Sequence, residues 1–192
     1  ELTSAGSPAG RYGAAMAYDS VRGVVVMFGG HGTALFDETW EWDGVAFAVL
    51  HPSAGLPGSD NNRSCVLRIA VAGRVFLLAG DVEAEAEAML LASAREQLRA
   101  DALLVPHHGS RSSSTAAFVA AVQPRYALVS AGHRNRFGHP HPDVLSRYRA
   151  VGADILETAR HGAVCLRVEA DGAITPPERW RIDHRRFWYA QD

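Results

Sequence analysis

A chain of 192 residues and 20.7 kDa has room for one full hydrophobic core plus a smaller attached piece. Its apolar fraction of 47% and charged fraction of 21% exclude wholesale disorder. The formal charge of −2 excludes a globally basic nucleic-acid binder, so any nucleic acid would have to be gripped by a local patch. The opening residues, ELTSAGSPAGRYG, lack a charged stretch followed by an apolar one, and no run approaches the roughly 18 apolar residues that span a bilayer. As given, the chain reads as soluble.

Residues 1–44 read as short β runs separated by glycine turns: RYGAAMAYDS, GVVVMFGGHG and DETWEWDG. An Arg-x-Gly-x-x-x-x-Tyr-Asp opening from Arg11 to Asp19, the pair Gly29-Gly30 after an apolar run, and then Trp40 and Trp42 resemble a kelch repeat. Such repeats run to about 50 residues, and a single blade cannot close a propeller. His31, in GGHGTAL, reads as a loop residue of this piece.

From residue 45 the pattern changes. SCVLRIAV and RVFLLAG flank Ala72-Gly73 and read as a hairpin. EAEAEAMLLASAREQLRA, acidic at its start and basic toward its end, reads as a helix aligned with its own macrodipole. Then follow a strand (DALLVP), a helix (STAAFVAAV), a strand (YALVSAG), a helix (HPDVLSRYRAV) and a strand (ADILET), and GAVCLRVEADGAITP reads as a hairpin turning at Asp171-Gly172. This β/α succession predicts an α/β fold whose sheet contains parallel strands with crossover helices. Cys65 and Cys165 sit in β-like apolar runs and read as buried free thiols.

Topology gathers the chemistry. If the strands around the first helix are parallel, their carboxyl ends share one edge, where ligands of open α/β sheets bind. That edge would receive Asp81, the pair His107-His108, then Ser130 and His133, and from the loop HRNRFGHPHP also Asn135, His139 and His141. A carboxylate among neutral imidazoles suits zinc or manganese, with one of the paired histidines facing the metal and the other supporting it or holding substrate. Taken alone, Asp81 reads as a helix N-cap, and the histidine pair as a polar strand end bonded to loop carbonyls. The serines of RSSST read as caps of the next helix, and the acids at 83–87 as a helix amino terminus.

LLAGD at 77–81, VPHHGSRSSS at 105–114 and NRFGHPHP at 135–142 closely resemble the carboxy-terminal metallo-β-lactamase-like domain of the ComEC competence DNA-uptake channels. WDGVAFAVLHP at 42–52, NNRSCVLRI at 61–69 and RRFW at 185–188 are similar to the same family. The resemblance covers roughly residues 40–192 and implies the second half of a metallo-β-lactamase αββα sandwich. It divides the chain into an all-β kelch-like segment at 1–44 and a ComEC-type domain at 45–192, with TWEWDG satisfying both patterns at the junction. It implies a divalent-metal-dependent nuclease acting on single-stranded DNA. Asp81, His107, His108 and His139 would be metal ligands, the first three of them catalytic, and Ser110, Asn135 and His139 would contact substrate.

This sequence contains no His-x-His-x-Asp-His cluster, which metallo-β-lactamase folds carry in their first half. A catalytic zinc normally holds three protein ligands, so Asp81 and one histidine would need His139, His141 or His133 beside them. The expected function is therefore a competence-type hydrolase domain with weakened or no activity. The alternatives are a kelch-type binding module or a non-catalytic metal- or DNA-binding remnant. Half a sandwich would leave apolar sheet surface uncovered and favour self-association. The alternation of Arg179, Trp180, Arg181, Arg185, Arg186, Phe187, Trp188 and Tyr189 reads first as a terminal strand docking its aromatics, and second as a surface for a phosphate backbone.

Overall fold

The computed structural model describes residues 2–3, 15–19, 21, 24–29, 31, 39–42, 44–52 and 59–185. Near the amino terminus, β1 (Leu2–Thr3), β2 (Ala15–Asp19), β3 (Val24–Phe28) and β4 (Thr39–Trp42) form a sheet in the order β1-β4-β3-β2. Its pairs are antiparallel except β1 with β4. Strand β3 buries Val24, Val25 and Met27. Much of the stretch expected as a kelch blade, Arg11 and Gly30 included, lies outside the described residues.

The second sheet is mixed and carries the chemistry. It runs β10-β9-β8-β7-β6-β5, built from β5 (Val45–His51), β6 (Val66–Val71), β7 (Arg74–Leu78), β8 (Ala102–Leu104), β9 (Tyr126–Val129) and β10 (Asp154–Glu157). Strands β5 to β7 pair antiparallel, and β7 to β10 pair parallel. The expected hairpin is present, with Ala72 and Gly73 both at positive φ, the conformation that matches strand twist in a two-residue turn.

Helices α1 (Ala84–Ser93), α2 (Ala116–Val122) and α3 (Pro142–Ala150) cross between successive parallel strands and share one core with the sheet. Side chains alternate accordingly. Leu77, Leu103, Ala127 and Val129 face the helices, packing on Leu90, Phe118, Val122 and Tyr148. Ala102, Tyr126 and Leu156 face the other way. There they meet the carboxy-terminal hairpin, β11 (Val164–Cys165) paired with β12 (Glu178–Arg179), whose turn closes through an Ile174–Val168 bridge. The chain then enters a short helix, α5 (Trp180–Asp183), rather than continuing as a strand, after α4 (Thr158–His161) earlier in the chain. Residues 186–192 lie outside the described set, so only the first part of the expected aromatic and basic tail is visible.

Two local expectations fail for simple reasons. Both cysteines are exposed rather than buried: Cys65 falls one residue before β6, and Cys165 occupies an outward position of a two-residue strand. The cap of α2 is Thr115, whose Oγ1 accepts the N–H of Phe118 at 3.3 Å, and not one of the preceding serines. Across β5, β6 and β7, Val49, Leu67 and Leu78 stand opposite one another. Val49 is 63% and Leu78 37% exposed, so this part of the sheet's second face is open to solvent.

Candidate metal centre

The carboxyl ends of β7, β8 and β9 are adjacent, and each delivers one element of a site. After β7 the chain turns through Ala79 and Gly80, where φ is +58° and a Cβ would stand 2.8 Å from the Cβ of Ser64. Only glycine allows that approach. Asp81 follows, its N–H donating to Ser64 Oγ at 3.2 Å. It does not cap α1: the N-cap position is Glu83, which makes no side-chain capping bond. The Asp81 carboxylate is instead directed at His108.

After β8 comes a tight turn, Pro106–Gly109, in which His107 (φ 47°, ψ 43°) and His108 (φ 55°, ψ 19°) both adopt left-handed conformations. Two consecutive non-glycine residues in that region cost on the order of 1–3 kcal/mol each. The surroundings hold the turn in place. His107 N–H donates to Gly80 O at 3.0 Å, Ser110 N–H to His107 O at 2.8 Å, and His141 N–H to Gly109 O at 2.8 Å. Ser113 Oγ bonds the carbonyls of Pro106 and Ser110.

This turn sends the two imidazoles in different directions. His108 Nδ1 donates to the carbonyl of Ser130, at the end of β9, at 2.7 Å. A carbonyl only accepts, so Nδ1 carries a proton, and in the neutral ring the lone pair is then on Nε2, which stands 3.7 Å from Asp81 Oδ1. His107 Nδ1 stands 3.2 Å from Glu83 Oε1, which also accepts from Ser112 Oγ at 2.7 Å. Ser110 reaches this group through Ser112, their hydroxyls 3.0 Å apart.

The loop between β9 and α3 lies alongside. The His139 ring is 5.9 Å from that of His107 and stacks at 5.8 Å on Phe137, which is 66% exposed. Burial, followed by the neighbouring His107, His108 and His141, pushes the pKa of His139 below the ordinary histidine value. Asn135 points into its own loop: Nδ2 donates to the carbonyls of Gly132 and His139, and Oδ1 accepts from the N–H groups of Phe137 and His139. All four hydrogen-bonding positions of its amide are used. His141 caps α3, Nδ1 accepting the N–H of Asp143 at 3.2 Å, and His133 is exposed. His108, Ser130, Asn135, Phe137 and His139 line a cavity of about 330 Å³.

Behind the histidine turn sits a residue whose role the sequence conceals. Glu87 is fully buried, and its carboxylate accepts the N–H groups of Ser114 and, at 2.7 Å, Thr115. Ser114, itself at φ +57°, also bonds the Tyr148 hydroxyl at 2.9 Å, and Arg147 donates to its carbonyl at 2.8 Å. Burial raises the pKa of both Glu87 and Tyr148.

Asp81 and His108 fit a divalent cation. Two donors each about 2.1 Å from one tetrahedral ion stand about 3.4 Å apart, close to the 3.7 Å observed. The Nδ1–H to carbonyl bond is the outer support that metal-binding imidazoles require. The set of four expected from sequence is not assembled around one point. Among the described residues, no group of three or more His, Cys, Asp and Glu side chains is placed to hold a metal ion. Of the four, Asp81 and His108 are the two whose ring nitrogen and carboxylate oxygen stand close enough to share one ion.

The profile of the metallo-beta-lactamase superfamily matches residues 3–133. Competence protein ComA of Neisseria gonorrhoeae is 39% identical over 152 residues, covering 79% of this chain and 22% of that protein. Uncharacterized protein YcaI of Escherichia coli is 33% identical over 166 residues, covering 84% and 21% respectively. ComE operon protein 3 of Bacillus subtilis is 38% identical over 121 residues, covering 63% and 16%. The chain thus spans about a fifth of the length of these curated relatives. The profile match starts at residue 3 and so includes the kelch-like stretch, for which no comparison supports a kelch repeat. No helix among the described residues is long and apolar enough to cross a membrane. With two thirds of its length under the superfamily profile and a mixed sheet bearing the metal-type residues on its carboxyl edge, the chain belongs to the metallo-beta-lactamase superfamily.

Proposed function

We propose that this chain is a metal-dependent phosphodiester hydrolase domain of the DNA-uptake type, acting weakly on single-stranded DNA. The observation that carries the reading is the Asp81–His108 pair, with the His108 tautomer set by Ser130, at the carboxyl ends of adjacent parallel strands. Asp81 and His108 would hold the cation. When bound, such an ion polarises a phosphoryl oxygen and acidifies water.

The other groups act through their own chemistry. Glu83 fixes the proton of His107 on Nδ1, so Nε2 can take a proton from an attacking water and return it to a leaving oxygen. Phe137, exposed and stacked on His139, with the Arg136 guanidinium 4.8 Å from its ring centre, offers a platform for an unpaired base. One relative is named as a competence protein, which supports a nucleic-acid substrate.

A second reading, a metal- or DNA-binding remnant without catalysis, is favoured by one observation: among the described residues only Asp81 and His108 approach one point, where a catalytic zinc has three ligands. Incubating the purified chain with labelled single-stranded oligonucleotide and manganese or zinc separates the two. The hydrolase reading predicts slow cleavage that chelator and Asp81→Asn both abolish. Metal binding without any cleavage would establish the remnant instead.

A further inference from the structure

The opposite edge of the same sheet carries a second concave surface. Arg74 opens β7, Asp101 precedes β8 and Arg125 precedes β9, while Arg99 and Gln123 close the groove from the segments after α1 and α2. Arg68 reaches it from β6, where it stands opposite Leu77 on the helix side of the sheet. The cavity has a volume of about 510 Å³ and is open to solvent.

Its charge is unbalanced. Arg74 is held by Asp101 at 3.3 Å and by the carbonyl of Gly172 at 2.5 Å. Asp101 is further engaged by the N–H of Val75 at 2.8 Å. Arg99 donates at 2.6 Å to the amide oxygen of Gln123, which carries no charge. Arg125 lies 4.9 Å over the ring of Tyr126. Arg68 Nε is buried and has no hydrogen-bond partner among the described residues. Among the described residues, Glu96 and Asp101 are the acids lining the groove, against four arginines. On a chain of net charge −2 this is a local excess of positive charge. A buried donor left unpaired is costly, and a guanidinium fork matches the oxygens of a phosphate.

We propose that this groove is a phosphate-binding site, separate from the metal centre, with Arg68, Arg99 and Arg125 as its contacts. The inference rests on the nucleic-acid reading only for the source of the phosphate, which is either a strand backbone or a free phosphate monoester. A groove of this size has room for a nucleotide unit. It supplies the local grip that the overall charge of the chain does not.

The test is fluorescence anisotropy of a labelled oligothymidylate with the full chain in chelator, so that the metal centre plays no part, alongside calorimetry with adenosine monophosphate. Arg99 and Arg125 are exposed, so Arg99→Ala with Arg125→Ala leaves the fold intact, checked by an unchanged melting curve. The expected result is oligonucleotide binding that falls at least about 10-fold in the double variant, with a salt dependence shallower by about two ions. Arg68→Met is expected to weaken binding without lowering the melting temperature. Saturable binding of adenosine monophosphate, lost in the double variant, with no preference for the strand, assigns the free phosphate as the source. Strand and nucleotide binding both unaltered in the double variant, or no binding of either by the parent chain, would overturn the proposal. Loss of cleavage with binding retained removes the hydrolase reading alone, and cleavage without arginine-dependent binding removes the groove alone.

Discussion

His108 Nε2 faces Asp81 Oδ1 at 3.7 Å because its other nitrogen is committed to the carbonyl of Ser130 at 2.7 Å. Three parallel strands thereby place a metal-type carboxylate, an oriented imidazole and the group that orients it on one edge. In the neutral ring, His108 should carry its proton on Nδ1. Long-range proton–nitrogen NMR reads this directly, and a ring with the proton on Nε2 would remove the basis for metal ligation.

Gly109 sits at φ +80° with its α-carbon against Pro140, whose Cβ would be 2.7 Å from an added Cβ. Gly109→Ala therefore combines left-handed strain with a clash between the histidine turn and the loop of His139. The expected loss is about 2–4 kcal/mol in urea unfolding. An unchanged midpoint would mean that the two loops are not packed as described.

The Glu87 carboxylate receives two backbone N–H groups in a fully buried position. In Glu87→Gln one of those donors meets an amide NH₂ instead of an oxygen, which should cost about 1–3 kcal/mol. Because Glu87 holds Ser114 and Thr115, the histidine turn should loosen with it, and hydrogen exchange at Ser110 to Thr115 should quicken. Exchange unaltered there would show that Glu87 supports only the core.

His161 Nδ1 accepts the N–H of Glu157 at 3.0 Å, a bond that protonation destroys. Burial, then Arg160 and Arg179, depress its pKa below the ordinary value. The unfolded chain therefore takes up the proton more readily than the folded one. Stability from this group is complete above about pH 6.5 and is lost as pH falls through that value toward the depressed one. His161→Asn keeps an acceptor without titrating, so its melting temperature should fall less than the parent's on acidification. His139 shifts the same way and will contribute part of the parent's slope.

The sheet was legible because its apolar residues alternate or run unbroken between clear turns: RVFLLAG and YALVSAG became β7 and β9, and Asp81, His108 and Ser130 met at the expected edge. Which histidine faces the carboxylate was not legible, because it depends on two left-handed residues that no local pattern announces. In sequence, Glu83 and Glu87 read as part of a helix amino terminus. One turn apart on a helix, both in fact face the loop after β8, a tertiary contact with no signature in EAEAEA. Asn135, expected to touch substrate, spends its whole amide on its own loop.

The most direct measurement is calorimetric titration of zinc and manganese into the purified chain and into Asp81→Asn, His108→Ala and His107→Ala. Saturable binding of a single cation, lost in Asp81→Asn and His108→Ala and kept in His107→Ala, is the predicted result. Binding that survives both of the first two substitutions, or no binding in the parent chain, would contradict a half metal shell built on Asp81 and His108.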